Sequence, residues 1–166
     1  SALWMTSFYY KEADLASLNY ESFGISIIRH NDIYVLLDYG PHGGWHGHFD
    51  KLNIEIAASN STLVSDPGPV VYSLPSSPDW YRTSFAHPLP FIGFENQPET
   101  TGRLLDHNFS NHSSYVMAQY SDENYEMEIT RFVLVLGTSQ YGDIIIDVSH
   151  WNGVIPQIAT QTYHFD

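Results

Sequence analysis

The feature that most constrains the fold is a repeated alternation. Short runs of β-branched and aromatic residues recur along the chain, each closed by turn-forming residues. GISIIRH (24–30) and IYVLLDY (33–39) flank Asn31-Asp32, and KLNIEIAA (51–58) and STLVSDPG (61–68) flank Ser59-Asn60. Both pairs read as hairpins. Later runs follow at SSYVMAQY (113–120), YEMEITRFVLVL (125–136), GDIIIDVSHW (142–151) and QIATQTYHF (157–165). In YEMEIT, Glu126, Glu128 and Thr130 alternate with Tyr125, Met127 and Ile129, the pattern of a strand with one wet face and one dry one. A strand cannot bury its apolar face alone, so eight to ten such strands predict an all-β, antiparallel β-sandwich, one domain over 1–166. The only helix-like stretch is 9–22, and its periodicity is weak. Residues 66–106 hold seven of the nine prolines and no long apolar run. They predict a loop crossing one face of the sheet, the kind of long connection that usually carries function.

Charge and composition exclude several partners. Nineteen acids stand against six bases, a formal net charge of −13. Nucleic acid and anionic membrane surfaces both require clustered Lys and Arg, so neither is expected to bind. No run of about eighteen apolar residues exists to span a bilayer as a helix. The absence of cysteine removes disulfides and thiolate metal sites together.

One stretch departs from the strand pattern. GPHGGWHGHFDKLN (40–53) sets His42, His46, His48 and Asp50 within nine positions, with glycines between them. His46 and His48 are two residues apart, so on extended backbone both imidazoles point to one face. Gly43, Gly44 and Gly47 remove side chains that would hinder a close approach. Asp66 is brought back to this neighbourhood by the hairpin over 51–65, and His87 follows in the proline-rich segment. Two imidazoles and a carboxylate suit a borderline cation such as zinc. A cupin also begins its metal motif with His-x-His. It then needs a glutamate four or five residues later, whereas Glu55 lies seven residues after His48.

GPHGGWHGHFDKLNIEIAASNSTLVSDPG, followed by WYRTSFAH and ENQPETTGRLL, resembles the C-terminal β-sandwich of the heparinase II/III-like polysaccharide lyases, a group that includes oligoalginate lyases. The resemblance covers residues 24–106 well and the later strands loosely. It implies an N-terminal α/α toroid, absent from this chain, with an active cleft between toroid and sandwich. It also implies β-elimination on an acidic, uronate-containing polysaccharide in a periplasmic or secreted setting. By the same resemblance His46 and Tyr72 are the catalytic candidates, with Tyr81 the alternative hydroxyl. His48, Asp66 and His87 hold a structural zinc, and Trp45, Trp80 and Arg82 line the cleft. Pro88 and Pro90 depart from the family pattern; each lacks a backbone donor, and they are expected to interrupt the strand that follows the last histidine. The competing reading is a non-catalytic, metal-stabilised carbohydrate-binding or scaffold sandwich. Such a scaffold needs the metal trio but has no use for His46 or Tyr72.

Overall fold

The computed structural model describes residues 16–68, 80–138, 142–153 and 158–165. Its first sheet runs in chain order through five antiparallel strands: β1 (Leu18–Tyr20), β2 (Ile25–His30), β3 (Ile33–Asp38), β4 (Asn53–Ala58) and β5 (Ser61–Val64). After β6 (Pro90–Ile92) come β7 (Arg103–Phe109), β8 (Ser113–Asp122), β9 (Met127–Leu136) and β10 (Ile144–Gly153). These last four form a second antiparallel sheet in the order β10-β9-β8-β7. The short β11 (Ala159–Gln161) pairs with β6 to one side. The antiparallel sandwich expected from the alternation is what forms.

Period-two patterning decides which side chains enter the core. On the first sheet Ile28, Val35, Leu37 and Ile54 are buried; on the second, Val116, Ala118, Tyr120, Ile129, Val133 and Val135. Each fully buried aliphatic side chain contributes about 1.5–3 kcal/mol, so the two inner faces dominate the stability of the domain. The turns obey their residue chemistry. Ser59 and Asn60 are both left-handed (φ 52° and 61°), as a two-residue hairpin of this hand requires.

Three local expectations are corrected. The tail of the helix-like stretch is strand: β1 pairs with β2, and Ser17 brackets Arg29 by accepting from its N–H and donating to its carbonyl. The remainder, 9–15, lies outside the described residues. The segment 66–106 is more than a surface loop, because β6 and the start of β7 fall within it and Ala86, Leu89, Phe91 and Ile92 are fully buried. Nor do the prolines abolish the strand. Pro90 opens β6 opposite Gln161, at the strand-initial position where a missing donor costs least.

Candidate functional site

Between β3 and β4 the chain makes a tight excursion that carries the histidines. Gly43 and Gly44 are left-handed (φ 81° and 62°) and start a single 3-10 turn, Gly44–His46. That turn projects Trp45, 94% exposed, and the exposed His46 outward. The loop then folds back on itself so closely that a Cβ at Gly47 would lie 1.7 Å from the carbonyl oxygen of His42. His42 is buried, its ring 5.0 Å from that of Phe49. So the glycines between the histidines are needed for closure, and closure separates an outward His46 from an inward His48.

A second segment, 80–89, is laced to this loop. Arg82 Nε donates to the Gly47 carbonyl (3.0 Å), Phe49 N–H to the Arg82 carbonyl (2.9 Å), and Ser84 Oγ to the Phe49 carbonyl (2.9 Å). This lacing sets the fully buried His87 beside His48, with ring centroids 5.2 Å apart. Asp66, just past β5, meets His87 Nδ1 at 2.8 Å through Oδ2. The same oxygen accepts from Asn53 Nδ2 (2.6 Å), and Oδ1 accepts from Gly68 N–H (2.6 Å). Leu52 adopts a left-handed conformation (φ 63°), unusual for a branched side chain, and this turns the chain from the loop into β4.

The electrostatics follow from this packing. Burial holds the His48 imidazole below the usual histidine range, and the neighbouring His87 pushes in the same direction. For Asp66, burial alone would raise the carboxyl; the hydrogen bond and charge of His87 outweigh it and leave it below the ordinary aspartate range. Glu55 is raised, first by burial and then by the carboxylates of Asp66 and Asp38.

The structure thus brings His48, Asp66 and His87 into one cluster and leaves His46 exposed beside it. Trp80, 45% exposed, stands edge-on to Tyr81, with ring centroids 5.1 Å apart. Arg82 braces the loop through its bond to Gly47. Tyr72 lies outside the described residues. Sequence reasoning gave Asp50 no role, yet His48, Asp50 and His87 present ligand atoms that all lie within 4.8 Å of one another. The signal was available: Asp50 follows His48 by the same two-residue step that links His46 to His48. One Asp50 oxygen is engaged by the buried ammonium of Lys51.

Whether a cation suits this cluster is tested by an orphaned atom. Among the described residues, buried His87 Nε2 has no hydrogen-bond partner, although its ring partner Nδ1 is fixed on Asp66. A buried imidazole nitrogen without a partner is costly unless something fills its lone pair. A histidine whose other nitrogen rests on a carboxylate is the usual arrangement behind a metal. The donor set fits zinc.

Residues 13–88 match the family described as heparinase II/III-like, C-terminal. Over those residues, a little under half of the chain, the sequence is similar to that family. The matched span contains the whole histidine loop, the Asp66 turn and His87. Two solved structures extend the likeness to the later strands. A protein described as a heparinase III gene product superposes with a TM-score of 0.78 at 16% identity, over 93% of this chain and 25% of that one. A heparan sulfate lyase from Pedobacter heparinus superposes with a TM-score of 0.65 at 20% identity, over 75% of this chain and 21% of its own. At such identities the likeness is one of fold, and this chain spans a quarter or less of either protein. No curated protein sequence matches it.

Proposed function

We propose that this chain is the β-sandwich part of a polysaccharide lyase that cleaves a uronic-acid-containing chain by β-elimination, contributing half of the active site. The observation that carries the reading is the split between neighbouring histidines: His46 is exposed on a loop whose closure is enforced by Gly47, while His48 turns in towards His87. In the reaction a base takes the C5 proton of a uronate, and the electron pair passes into the carboxylate-stabilised enolate. It then returns to form the C4–C5 double bond, expelling the glycosidic oxygen at C4, which leaves with a proton. The difficult step is charge build-up on the uronate carboxylate. A positioned imidazole relieves it by donating a hydrogen bond that strengthens as that charge develops, or by handling a proton near neutral pH. His46 takes this role, with Tyr72 as the acid–base partner. The exposed indole of Trp45, with Trp80 and Arg82 alongside, lines the path of the sugar chain. The opposite wall of the cleft belongs to an N-terminal helical domain.

In this reading His48, Asp66 and His87 build a zinc site: His48 and His87 would ligate, Asp66 would hold His87 through Nδ1, and the Asp50 carboxylate is within reach as a further ligand. Bound there, the ion supplies a cross-link between the histidine loop, the turn after β5 and the segment bearing His87. It stiffens the base on which His46 is mounted.

The test uses the full-length protein and a panel of uronate polymers, reading the ultraviolet absorbance of the new conjugated double bond. Turnover by wild type, with a loss in His46→Ala at unchanged zinc content, is the expected result. A folded, zinc-replete full-length protein that forms no unsaturated product from any uronate polymer would leave the non-catalytic scaffold reading in its place. The isolated 166-residue chain is expected to be inactive.

A further inference from the structure

On the opposite sheet, β9 carries a fully buried arginine. Arg131 points inward from the second sheet among Ile129 and Val133, and its side chain has 0% exposure. Four N–H directions of its guanidinium are engaged. Nε and Nη2 form a fork on the two oxygens of Asp147 in β10 (2.9 and 2.5 Å). Nη1 reaches across the core and donates to two carbonyls, Leu52 and Pro88, each at 2.7 Å. Those two carbonyls belong to different segments. Leu52 closes the loop that carries His48 and Asp50, and Pro88 directly follows His87.

We infer that Arg131 is a positioning residue for the histidine cluster: one amino group clamps together the backbone of the His48 loop and that of the His87 segment. Two further observations support this. First, one of the clamped residues is Leu52, whose left-handed backbone is intrinsically unfavourable for a branched side chain and persists only where its surroundings over-determine it. Its N–H donates to the Asp38 carbonyl (2.7 Å) and its carbonyl accepts from Arg131, so both ends of the strained unit are held. Second, the Pro88 carbonyl also accepts from Ile54 N–H (3.1 Å), so the same oxygen joins β4 to the clamp. A buried guanidinium was not needed for packing, since its neighbours on the same face of β9, Ile129 and Val133, are aliphatic. Its planar fork is the group that satisfies one carboxylate on one side and two carbonyls on the other, which an ammonium cannot do.

The inference rests on the reading of His48 and His87 as metal ligands, and its test separates the two. Arg131→Lys retains a charge for Asp147 but lacks the fork. Val133→Ala, two residues away on the same buried face, weakens the core without touching either segment. Two quantities are measured on the 166-residue chain: zinc affinity by competition with a chromophoric chelator, and metal-free amide hydrogen exchange. For Arg131→Lys the zinc dissociation constant is expected to rise about tenfold, the loss typical when support behind a ligand is removed. Exchange at the Ile54 amide should accelerate at least as much (about tenfold) while amides in the centre of β8 keep their protection, a local opening rather than a global one. Val133→Ala should lower protection across the sandwich and leave zinc affinity in its folded state unchanged. If Arg131→Lys loses protection uniformly, and zinc affinity only as Val133→Ala does, Arg131 is a core residue and the inference is overturned. Unaltered zinc affinity and exchange overturn it equally. If the wild type binds no zinc yet the Ile54 amide opens locally in Arg131→Lys, the clamp stands and the metal reading fails. Should the lysine variant not fold, Asp147→Asn loosens the anchor of the same guanidinium and is read by the same two measurements.

Discussion

Asp66→Asn is the substitution that probes the cluster most directly, because it removes a charge while preserving shape. Asp66 Oδ2 serves His87 Nδ1 and Asn53 Nδ2, and Oδ1 serves Gly68 N–H. An amide has one oxygen for these three donors. If that oxygen stays with Gly68, the new NH2 faces Asn53 and His87. The imidazole can move its proton to Nε2 and accept at Nδ1, which restores that contact. Asn53, 4% exposed, can turn its unpartnered Oδ1 to accept from the new NH2, but its own NH2 then loses its acceptor. One buried donor therefore loses a charge-assisted bond and goes unsatisfied, at a cost of about 2–3 kcal/mol. For a domain of this size that corresponds to roughly 4–12 °C in melting temperature, measured with chelator present so that metal plays no part. The shift of the His87 proton has a second consequence. Nε2 would carry a hydrogen where the wild type offers a lone pair, and zinc affinity should fall at least about tenfold. Long-range nitrogen–proton spectra of the imidazole read the tautomer, and a chelator competition reads the affinity. A metal-free melting temperature unchanged to within 1 °C, with His87 still protonated at Nδ1, would refute the reasoning.

The distance bears on what Asp66 does when an ion is bound. Two atoms bound to one tetrahedral zinc at about 2.0–2.1 Å sit about 3.3 Å apart. The 2.8 Å between Asp66 Oδ2 and His87 Nδ1 is that of a direct hydrogen bond. With the ion on His87 Nε2, Asp66 stays on Nδ1 as the orienting carboxylate and Asp50 is the ligand; Asp66 ligates only if the ion instead enters between Oδ2 and Nδ1, which then part by about half an ångström. Parallel zinc titrations of Asp66→Asn and Asp50→Asn distinguish the two, since a lost ligand costs more affinity than a lost orienter.

His46→Ala and His48→Ala should fail differently although they sit two residues apart. The first lowers kcat of the full-length enzyme by roughly two orders of magnitude with metal content intact, and the second loses zinc and melting temperature together; equal zinc loss in both would end the division of roles. Gly47→Ala forces a Cβ to within 1.7 Å of the His42 carbonyl and should cost about 2 kcal/mol or more in chemical denaturation. Gly44→Ala, left-handed but in open space, should cost only about 1 kcal/mol. The Tyr163 phenol is pushed up to about 12 by burial and by its bond to Asp147. Its folded value lies above its unfolded one, so its contribution to stability is complete below pH 10 and is lost as pH rises through about 12; tyrosinate absorbance in folded protein measures this directly.

Much of the fold was legible because alternation and turn chemistry act locally. The hairpins at Asn31-Asp32 and Ser59-Asn60 formed where those dipeptides stand, and β8, β9 and β10 overlap the runs that suggested them to within two residues at each end. What failed to read was set by long-range pairing. β6 is three residues long and exists because β11, some seventy residues away within the run 157–165 that did read as strand, supplies its partner. No window around Pro90 reveals that Gln161 will lie opposite. In the site, the trio of His48, Asp66 and His87 could be read from spacing and resemblance. The fixing of His87 by Asp66 through one particular nitrogen could not.

Arg131 is the instructive case, because its inward position was implied by a pattern already in view. In the run from Met127 to Val135 the odd-numbered positions are the dry ones, as the alternation of Glu128 and Thr130 with Met127 and Ile129 requires. The same parity sends Arg131 into the core between Ile129 and Val133. A residue-type rule says that arginine belongs on the surface; the period-two rule says that this one does not. The period wins because reversing one residue would require a bulge, and β9 pairs with both neighbours without a register shift from Met127 to Leu136. A charge held inside by strand geometry must find partners there. Its pairing with Asp147 of the adjacent strand balances the charge, and the two carbonyls beside the histidines take both donors of Nη1. A charged residue at a core-parity position, read as a question about its partners, leads from the pattern of one strand to the histidine cluster on the other side of the sandwich.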